Sequence, residues 1–293
     1  MADKPHPKGK QADIIPDPLS RQLVGSAATL SQATEGREPI IKVEHCTAAY
    51  GGVVILKDVS FEVLSGEVFV ILGGSGCGKS TLLKQMIGLY RPASGRILID
   101  GKDIVTAQGV RRLELLKKFG VMYQQGALFG SMTLMENVRL PLEEFTDLPP
   151  EAMDQIALMK LKLVGLQEFA YYMPSEISGG MQKRAAIARA MALDSHILFL
   201  DEPSAGLDPI TSAELDQLIL SLVKNLKMTC VVVTHELPSI YAIADRVIML
   251  DKSVKGIIAA GRPQDLRDHP PNSLVRQFFN RELAVEATAE ARN

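Results

Sequence analysis

Gly73-Gly74-Ser75-Gly76-Cys77-Gly78-Lys79-Ser80 sets a lysine and a hydroxyl directly behind a run of glycines. The spacing fits the phosphate-loop pattern of Gly, four residues, then Gly-Lys-Ser/Thr. Glycines let backbone N–H groups approach phosphate with no Cβ in the way. A helix N-terminus behind them, here opened by Ser80 and Thr81, favours negative charge. Lys79 can reach β- and γ-phosphates, and the Ser80 hydroxyl can ligate Mg²⁺. Such a loop needs a carboxylate on a neighbouring strand, and Asp201 stands at the end of the apolar run Ile197-Leu198-Phe199-Leu200. There it would hold Mg²⁺ through water, while Glu202 would polarise an attacking water as general base. Ser178-Gly179-Gly180-Met181 is a second serine-and-glycine helix start, and so a second phosphate-binding device. One nucleotide does not need two cradles from one chain. The economical arrangement is two copies, each closing the other's site. Each element alone has a plainer reading: a glycine turn, two solvated acids, an ordinary helix cap.

The elements that must position these groups alternate along the chain. Val68 to Leu72 reads as a buried strand into the loop and Thr81 to Ile87 as a helix out of it. Short strands are expected at Ile40–Val43, Val59–Val63 and Val121–Tyr123, with a hairpin turn at Asp100-Gly101. From Leu134 to Gly165 the pattern turns helical. Pro149-Pro150-Glu151 starts a helix with Ile156, Met159, Leu163 and Val164 on one face, and Gly165 stops it. Met153 and Met159 are expected in the core. Further on come a helix from Gln182 to Leu193, the strand before Asp201, and a helix capped by Asp208-Pro209 and running to about Lys227. Strands at Cys230–Val233 and Val247–Leu250 complete the set. This is an α/β order, and it predicts a mainly parallel sheet covered on both faces. Residues 1–38, rich in Pro, Lys, Asp, Gln, Ser and Gly, read as a disordered tail. Residues 269–293 read as a C-terminal extension, with a docking helix around Leu274, Phe278 and Phe279 and a frayed end.

Composition excludes several classes. The chain has 293 residues, 46% of them hydrophobic, which is ample for a sizeable core. A net charge of −2 supplies no basic field for nucleic acid. The three cysteines, Cys46, Cys77 and Cys230, are scattered and make neither a disulfide framework nor a zinc spacing. A reducing cytosol suits them, and Cys77 reads as a small loop residue that thiol reagents could reach. No uncharged apolar run has the length of a membrane helix, and no apolar segment follows the first lysines as a secretory signal would require. If the protein works at a membrane, another chain must span it.

In the order of its motifs, the chain from about residue 40 to 265 resembles the ATP-binding cassette (ABC) ATPases. Ile177-Ser178-Gly179-Gly180-Met181 is similar to that family's signature motif, with methionine in place of the usual glutamine and isoleucine in place of leucine. Since the serine and glycines are kept, activity is expected to survive. Tyr50 stands where the family places an aromatic that stacks on adenine, and Gln124 where a glutamine joins the core to a helical subdomain. Ser204-Ala205-Gly206-Leu207-Asp208 resembles the loop at the dimer seam, and His235 the histidine that contacts the γ-phosphate. The resemblance implies a P-loop NTPase (RecA-like) core over residues 39–268, with an antiparallel β subdomain and an inserted α-helical subdomain at about 125–181. It implies ATP and Mg²⁺ as cofactors. Gly73 to Thr81 and Tyr50 would bind nucleotide, and Ser80, Gln124 and Asp201 would serve the metal. Glu202, His235 and Gln124 would act in catalysis, with Ser178, Gly179 and Gly180 supplied by a second copy. The segment Gln125 to Val138, with its Gly-Ala-Leu-Phe run, looks like the ATPase of Mla-type lipid transporters that work with mammalian-cell-entry (MCE) proteins. That branch implies permease subunits, an MCE-type partner, a small STAS-type cytoplasmic subunit, and a place on the cytoplasmic face of a bacterial inner membrane. The alternative within transporters is an importer of small polar solutes. Repair or translation ATPases of the same family are disfavoured by the single contiguous cassette and the lack of a basic stripe. A non-hydrolysing scaffold is disfavoured by Lys79, Asp201, Glu202 and His235.

Overall fold

Strict alternation of buried side chains decides the architecture of this protein, seen here in a computed structural model that describes residues 36–281. In chain order the elements begin with strands β1 (Pro39–Tyr50), β2 (Val53–Leu64) and β3 (Val68–Gly73), helix α1 (Lys79–Met86), and strands β4 (Ser94–Ile99) and β5 (Lys102–Asp103). Helix α2 (Gly109–Leu116), strand β6 (Phe119–Met122) and helices α3 (Leu134–Phe145), α4 (Pro150–Leu163) and α5 (Gly179–Ala190) follow. The chain then alternates β7 (Ile197–Asp201), α6 (Pro209–Leu226), β8 (Thr229–Val233), α7 (Leu237–Ile243), β9 (Arg246–Asp251), β10 (Gly256–Gly261), α8 (Pro263–Asp268) and α9 (Ser273–Asn280).

A six-stranded sheet runs in the order β10-β9-β3-β8-β7-β6. All its pairings are parallel except β10 with β9. Every residue of β3, β7 and β8 is buried, as a sheet covered on both faces requires. Val68, Val70, Leu72, Leu198, Leu200 and Val232 join one core, and Phe69, Ile71, Phe199, Val231 and Val233 the other. The second core also takes Ile41, Val43, Leu56 and Ile97 from an antiparallel sheet of order β2-β1-β4-β5. The first core takes Leu134, Val138 and Leu161 from the inserted helices, so the insertion shares the sheet's core. At the sheet's lower end Arg246 donates to both Glu67 oxygens at 2.8 and 2.9 Å, with Glu67 fully buried. The fold class expected from the motif order is the one observed.

Several local expectations need correcting. The strands over 40–43 and 59–63 are the middles of longer ones, joined at Gly51-Gly52, whose positive φ values of 56° and 81° suit a tight hairpin. Helix α5 starts at Gly179 rather than Gln182, because Ser178 caps it by accepting from the Met181 N–H. On α4 the buried stripe is Met153, Ala157, Leu161 and, just beyond, Val164. Met159 is 47% exposed and Leu163 38%. The segment is apolar almost all round, so its periodicity does not choose the stripe; packing on α3 and α5 does. Gly165 stops the helix as expected, at φ 73°, with the Leu166 N–H returning to the Leu161 carbonyl at 2.8 Å. In α9 the anchors are Val275 and Phe279, while Leu274 faces out. Of the tail read over residues 1–38, residues 1–35 lie outside the described residues, as does the end beyond 281.

Candidate functional site

The carboxyl ends of the parallel strands gather the glycine loop, Gln124, Asp201, Glu202 and His235 on one edge of the sheet, where α/β folds bind ligands. β3 runs into the glycine loop, β7 ends at Asp201, β8 ends just before Thr234-His235, and β6 ends just before Gln124. Asp201 pairs with Val233, and Val233 with Ile71, so the loop, the acids and the histidine stand on adjacent strands. Gly78, in a left-handed conformation at φ 103°, caps α1. A Cβ there would meet Leu56 at 2.9 Å, and one at Gly73 would strike the Leu250 carbonyl at 2.4 Å. These glycines are set by close approach as well as by the turn. The Lys79 ammonium donates to the carbonyls of Gly73 at 2.8 Å and Gly74 at 3.1 Å, which holds it inside the loop's concavity. Gly74, Ser75 and Gly76 are exposed along the loop, and Ser80 is exposed behind Lys79 on α1. Cys77 is buried, and burial pushes its thiol up against the opposing pull of Lys79. Its sulfur packs inward beneath Gly73, as suits a small loop residue, and is not open to reagents.

Asp201 and Glu202 are both buried. Burial and the neighbouring Glu202 charge raise Asp201 above the usual carboxylate range, opposed by Lys84, Lys79 and Lys183. Glu202 takes a left-handed φ of 48°, unusual for a side chain of its size. Its N–H donates to the Val233 carbonyl at 2.8 Å, and its Oε1 lies 2.8 Å from Nδ1 of His235. Its Oε2 is buried with no hydrogen-bond partner. An orphaned carboxylate oxygen in a desolvated site is a ready acceptor for a water proton. The carboxylate of Asp201, the Ser80 hydroxyl and the Gln124 amide oxygen make an all-oxygen donor set, the kind Mg²⁺ prefers.

Gln124 is exposed in the turn after β6. Beyond it, buried Asn137 fastens the loop: its amide accepts from the Phe129 N–H at 2.8 Å and donates to the carbonyls of Phe129, Met132 and Thr133. Arg189 holds the carbonyls of Ala127 and Gly126 at 2.8 and 2.9 Å. Tyr50, at the end of β1, is 72% exposed, so its ring is free to take a planar partner. Ser178 and Gly179 are exposed at the start of α5, whereas Gly180 is buried against α6. A Cβ on Gly180 would lie 2.3 Å from Cγ2 of Thr211. The second glycine of this turn is therefore a packing requirement of its own chain. Met181 lies partly buried against the core, which accounts for an apolar residue there.

Sequence reasoning missed Lys183. It is 8% exposed, and its ammonium donates to the Gln124 carbonyl and, at 3.4 Å, to that of Glu202. The signal was a lysine at helical spacing on an otherwise alanine-rich buried face.

The family model described as ABC transporter matches residues 56–205, which span the glycine loop, the Ser178 turn and the two acids. This chain belongs to the ABC transporter ATPase family. It is 42% identical over 249 residues to the probable ribonucleotide transport ATP-binding protein mkl of Mycobacterium leprae (strain TN), covering 84% of this chain and 71% of that one. It is also 42% identical over 231 residues to the intermembrane phospholipid transport system ATP-binding protein MlaF of Escherichia coli (strain K12), covering 78% of this chain and 84% of that one. Among solved structures, the ATP-binding cassette MJ0796, a dimer in a post-hydrolysis state bound to ADP and Pi, superposes with a TM-score of 0.69 at 31% identity. That match covers 76% of this chain and 98% of the cassette. The cbiO1 subunit of the cbiONQ transporter complex from Clostridium perfringens gives 0.71 at 28% identity, covering 84% of this chain and all of that one. The chain is thus the ATP-binding subunit of an ABC transporter and an ATPase whose turnover is coupled to transport. ABC ATPases work as dimers with membrane permeases. Among the described residues no helix is long and apolar enough to cross a membrane.

Proposed function

We propose that this ABC ATPase powers phospholipid or related lipid transport across a bacterial cell envelope, from the cytoplasmic face of the inner membrane. Its partners are integral permease subunits, an MCE-type lipid-binding subunit and a small STAS-type cytoplasmic subunit. The observation that carries this reading is the 42% identity to MlaF across 84% of that protein. The Asn137-fastened loop at Phe129 adds to it, since it holds the Gly-Ala-Leu-Phe run through which this branch resembles Mla-type ATPases. The name of mkl, a probable ribonucleotide transport protein, favours the second reading, an importer of small polar solutes, because a cassette alone does not choose its substrate. Purification of the intact complex from membranes, with mass spectrometry of partner chains and bound lipid, separates the two. An MCE-type subunit with phospholipid supports the first; a periplasmic solute-binding protein overturns it.

Within the ATPase unit, read at residues 39–268 with its helical subdomain at about 125–181, the geometry supports the following roles. Phosphate draws Lys79 off the loop carbonyls, and the loop amides from Gly74 to Thr81 hold its oxygens. Tyr50 stacks on adenine. Ser80, Gln124 and Asp201 would hold Mg²⁺, which neutralises charge on the β- and γ-phosphates when bound. Glu202, buried and half unpartnered, takes the proton of the attacking water. His235 orients Glu202 through Nδ1. In the neutral ring that leaves Nε2 an acceptor, so contact with a phosphate oxygen as well requires the doubly protonated ring. Ser178 and Gly179 of a second copy close the site, which makes ATP an adhesive between the two chains. Hydrolysis removes the γ-phosphate bridge and lets them part.

A further inference from the structure

Lys183 occupies a position that none of the roles above uses. It is the fifth residue of α5, roughly 7 Å along the helix from the Ser178 cap at 1.5 Å per residue. Its ammonium is buried between the ends of β6 and β7, donating to the carbonyls of Gln124 and Glu202. Those residues lie 59 and 19 positions away in sequence and have no other common side-chain donor among the described residues. Arg189, from the same helix, grips the next turns of the Gln124 loop at Gly126 and Ala127. Helix α5 and that loop are therefore clamped at two points, and only Lys183 also reaches the acid's backbone. That backbone sits at φ 48°, a conformation that persists only where surrounding groups hold it. A lysine here also faces three carboxylates, Asp201, Glu202 and Glu236. Replacing it would remove a cation from a desolvated acidic site.

We propose that Lys183 is a positioning residue linking the two nucleotide sites of the dimer. The helix start that meets the second copy's nucleotide is rigidly joined, through Lys183, to the loop and general base of its own chain's site. Occupancy at Ser178-Gly179 is thereby felt at Glu202. The inference rests on the composite site and on the role of Glu202 given above. A rigid helix transmits displacement over one turn with little loss, and a general base misplaced by about 1 Å loses about 10²-fold in rate.

The test uses the full chain with ATP, comparing wild type, Lys183→Met, Lys183→Arg and Glu202→Gln by phosphate release and by binding of a fluorescent ATP analogue. Lys183→Met keeps nucleotide affinity, loses about 10²-fold in kcat, and drops its Hill coefficient from a wild-type value between ~1 and ~2, the number of sites, to ~1. Lys183→Arg, which keeps charge and donors, regains most of both. A wild-type Hill coefficient of ~1 overturns the linkage, as does Lys183→Met with wild-type kcat and cooperativity. So does a rise in KM with kcat unchanged. If Lys183→Met does not give a cooperative thermal melt, Lys183→Gln takes its place, and equal rates for Gln and Arg variants overturn the proposal. Normal hydrolysis by Glu202→Gln sinks the general-base reading instead, leaving the Hill coefficients of the Lys183 variants to judge the linkage.

Discussion

Glu202 concentrates the site's physical tension in one residue: a buried carboxylate, a left-handed backbone and one oxygen without a partner. Glu202→Gln keeps size and burial but removes the base, so kcat falls by about 10²–10⁴-fold while ATP binding stays. Single-turnover phosphate release against nucleotide titration checks both halves, and near-normal turnover would exclude the role. Cysteine chemistry belongs to this scale too. Cys46, Cys77 and Cys230 are all buried and free. Burial drives the Cys46 thiol to about 11 and that of Cys230 to about 12, and raises Cys77 as well. The thiolate is the reactive form, so raised values suppress reaction throughout the neutral range and relieve it only as pH climbs toward them. Native protein at neutral pH should therefore show no fast thiol in a chromogenic disulfide assay, and the three cysteines should titrate after denaturant is added. A rapidly reacting thiol in the folded protein would mean that the phosphate loop opens far enough to expose Cys77.

At the scale of elements, helix α5 does more than carry an N-terminal anion site. Gly180 lets it lie against α6, with Thr211 filling the space a Cβ would need. Gly180→Ala forces the two helices apart and should cost about 1–3 kcal/mol, the usual range for overpacking. Thr211→Ser removes Cγ2 and keeps the hydroxyl that bonds Asp208. The double variant should recover most of the loss in denaturant unfolding. Additive destabilisation would show that the contact is not the cause. The sequence reads both glycines of this turn as facing phosphate; that Gly180 also answers a packing demand is something spacing cannot show. The same ambiguity moved the α4 stripe: in Ile156 to Val164 almost every position is apolar, so only its neighbours choose Ala157 and Leu161 over Met159 and Leu163.

On the scale of the whole molecule, Ser178-Gly179 faces out, and its hydrogen bonds among the described residues stay within its own turn and helix. A site completed by a second copy predicts ATP-dependent dimers. In a Glu202→Gln background, which holds ATP unhydrolysed, the protein should sediment as a dimer with ATP and as a monomer without it. Adding Ser178→Glu sets a carboxylate against the incoming γ-phosphate, so that variant should remain monomeric while each chain still binds ATP. Dimers that persist in the double variant would rule out the composite site.

Contiguous motifs taken in order were enough to determine the family and its nucleotide, because a phosphate loop, an acid pair after a buried strand and a capped glycine turn, each ambiguous alone, point to one chemistry together. That the sheet is mainly parallel was implied by alternation of strands and helices, since buried parallel strands are apolar throughout. Only the tertiary structure decided what depends on residues far apart in sequence. It turned Cys77 into the core it shares with Leu56 and Val233, set Gly180 against Thr211, tied His235 to Glu202, and threaded Lys183 between Gln124 and Glu202. Those are contacts between separate elements. Their partners are fixed by strand order and helix docking, for which no local pattern of residues is a substitute.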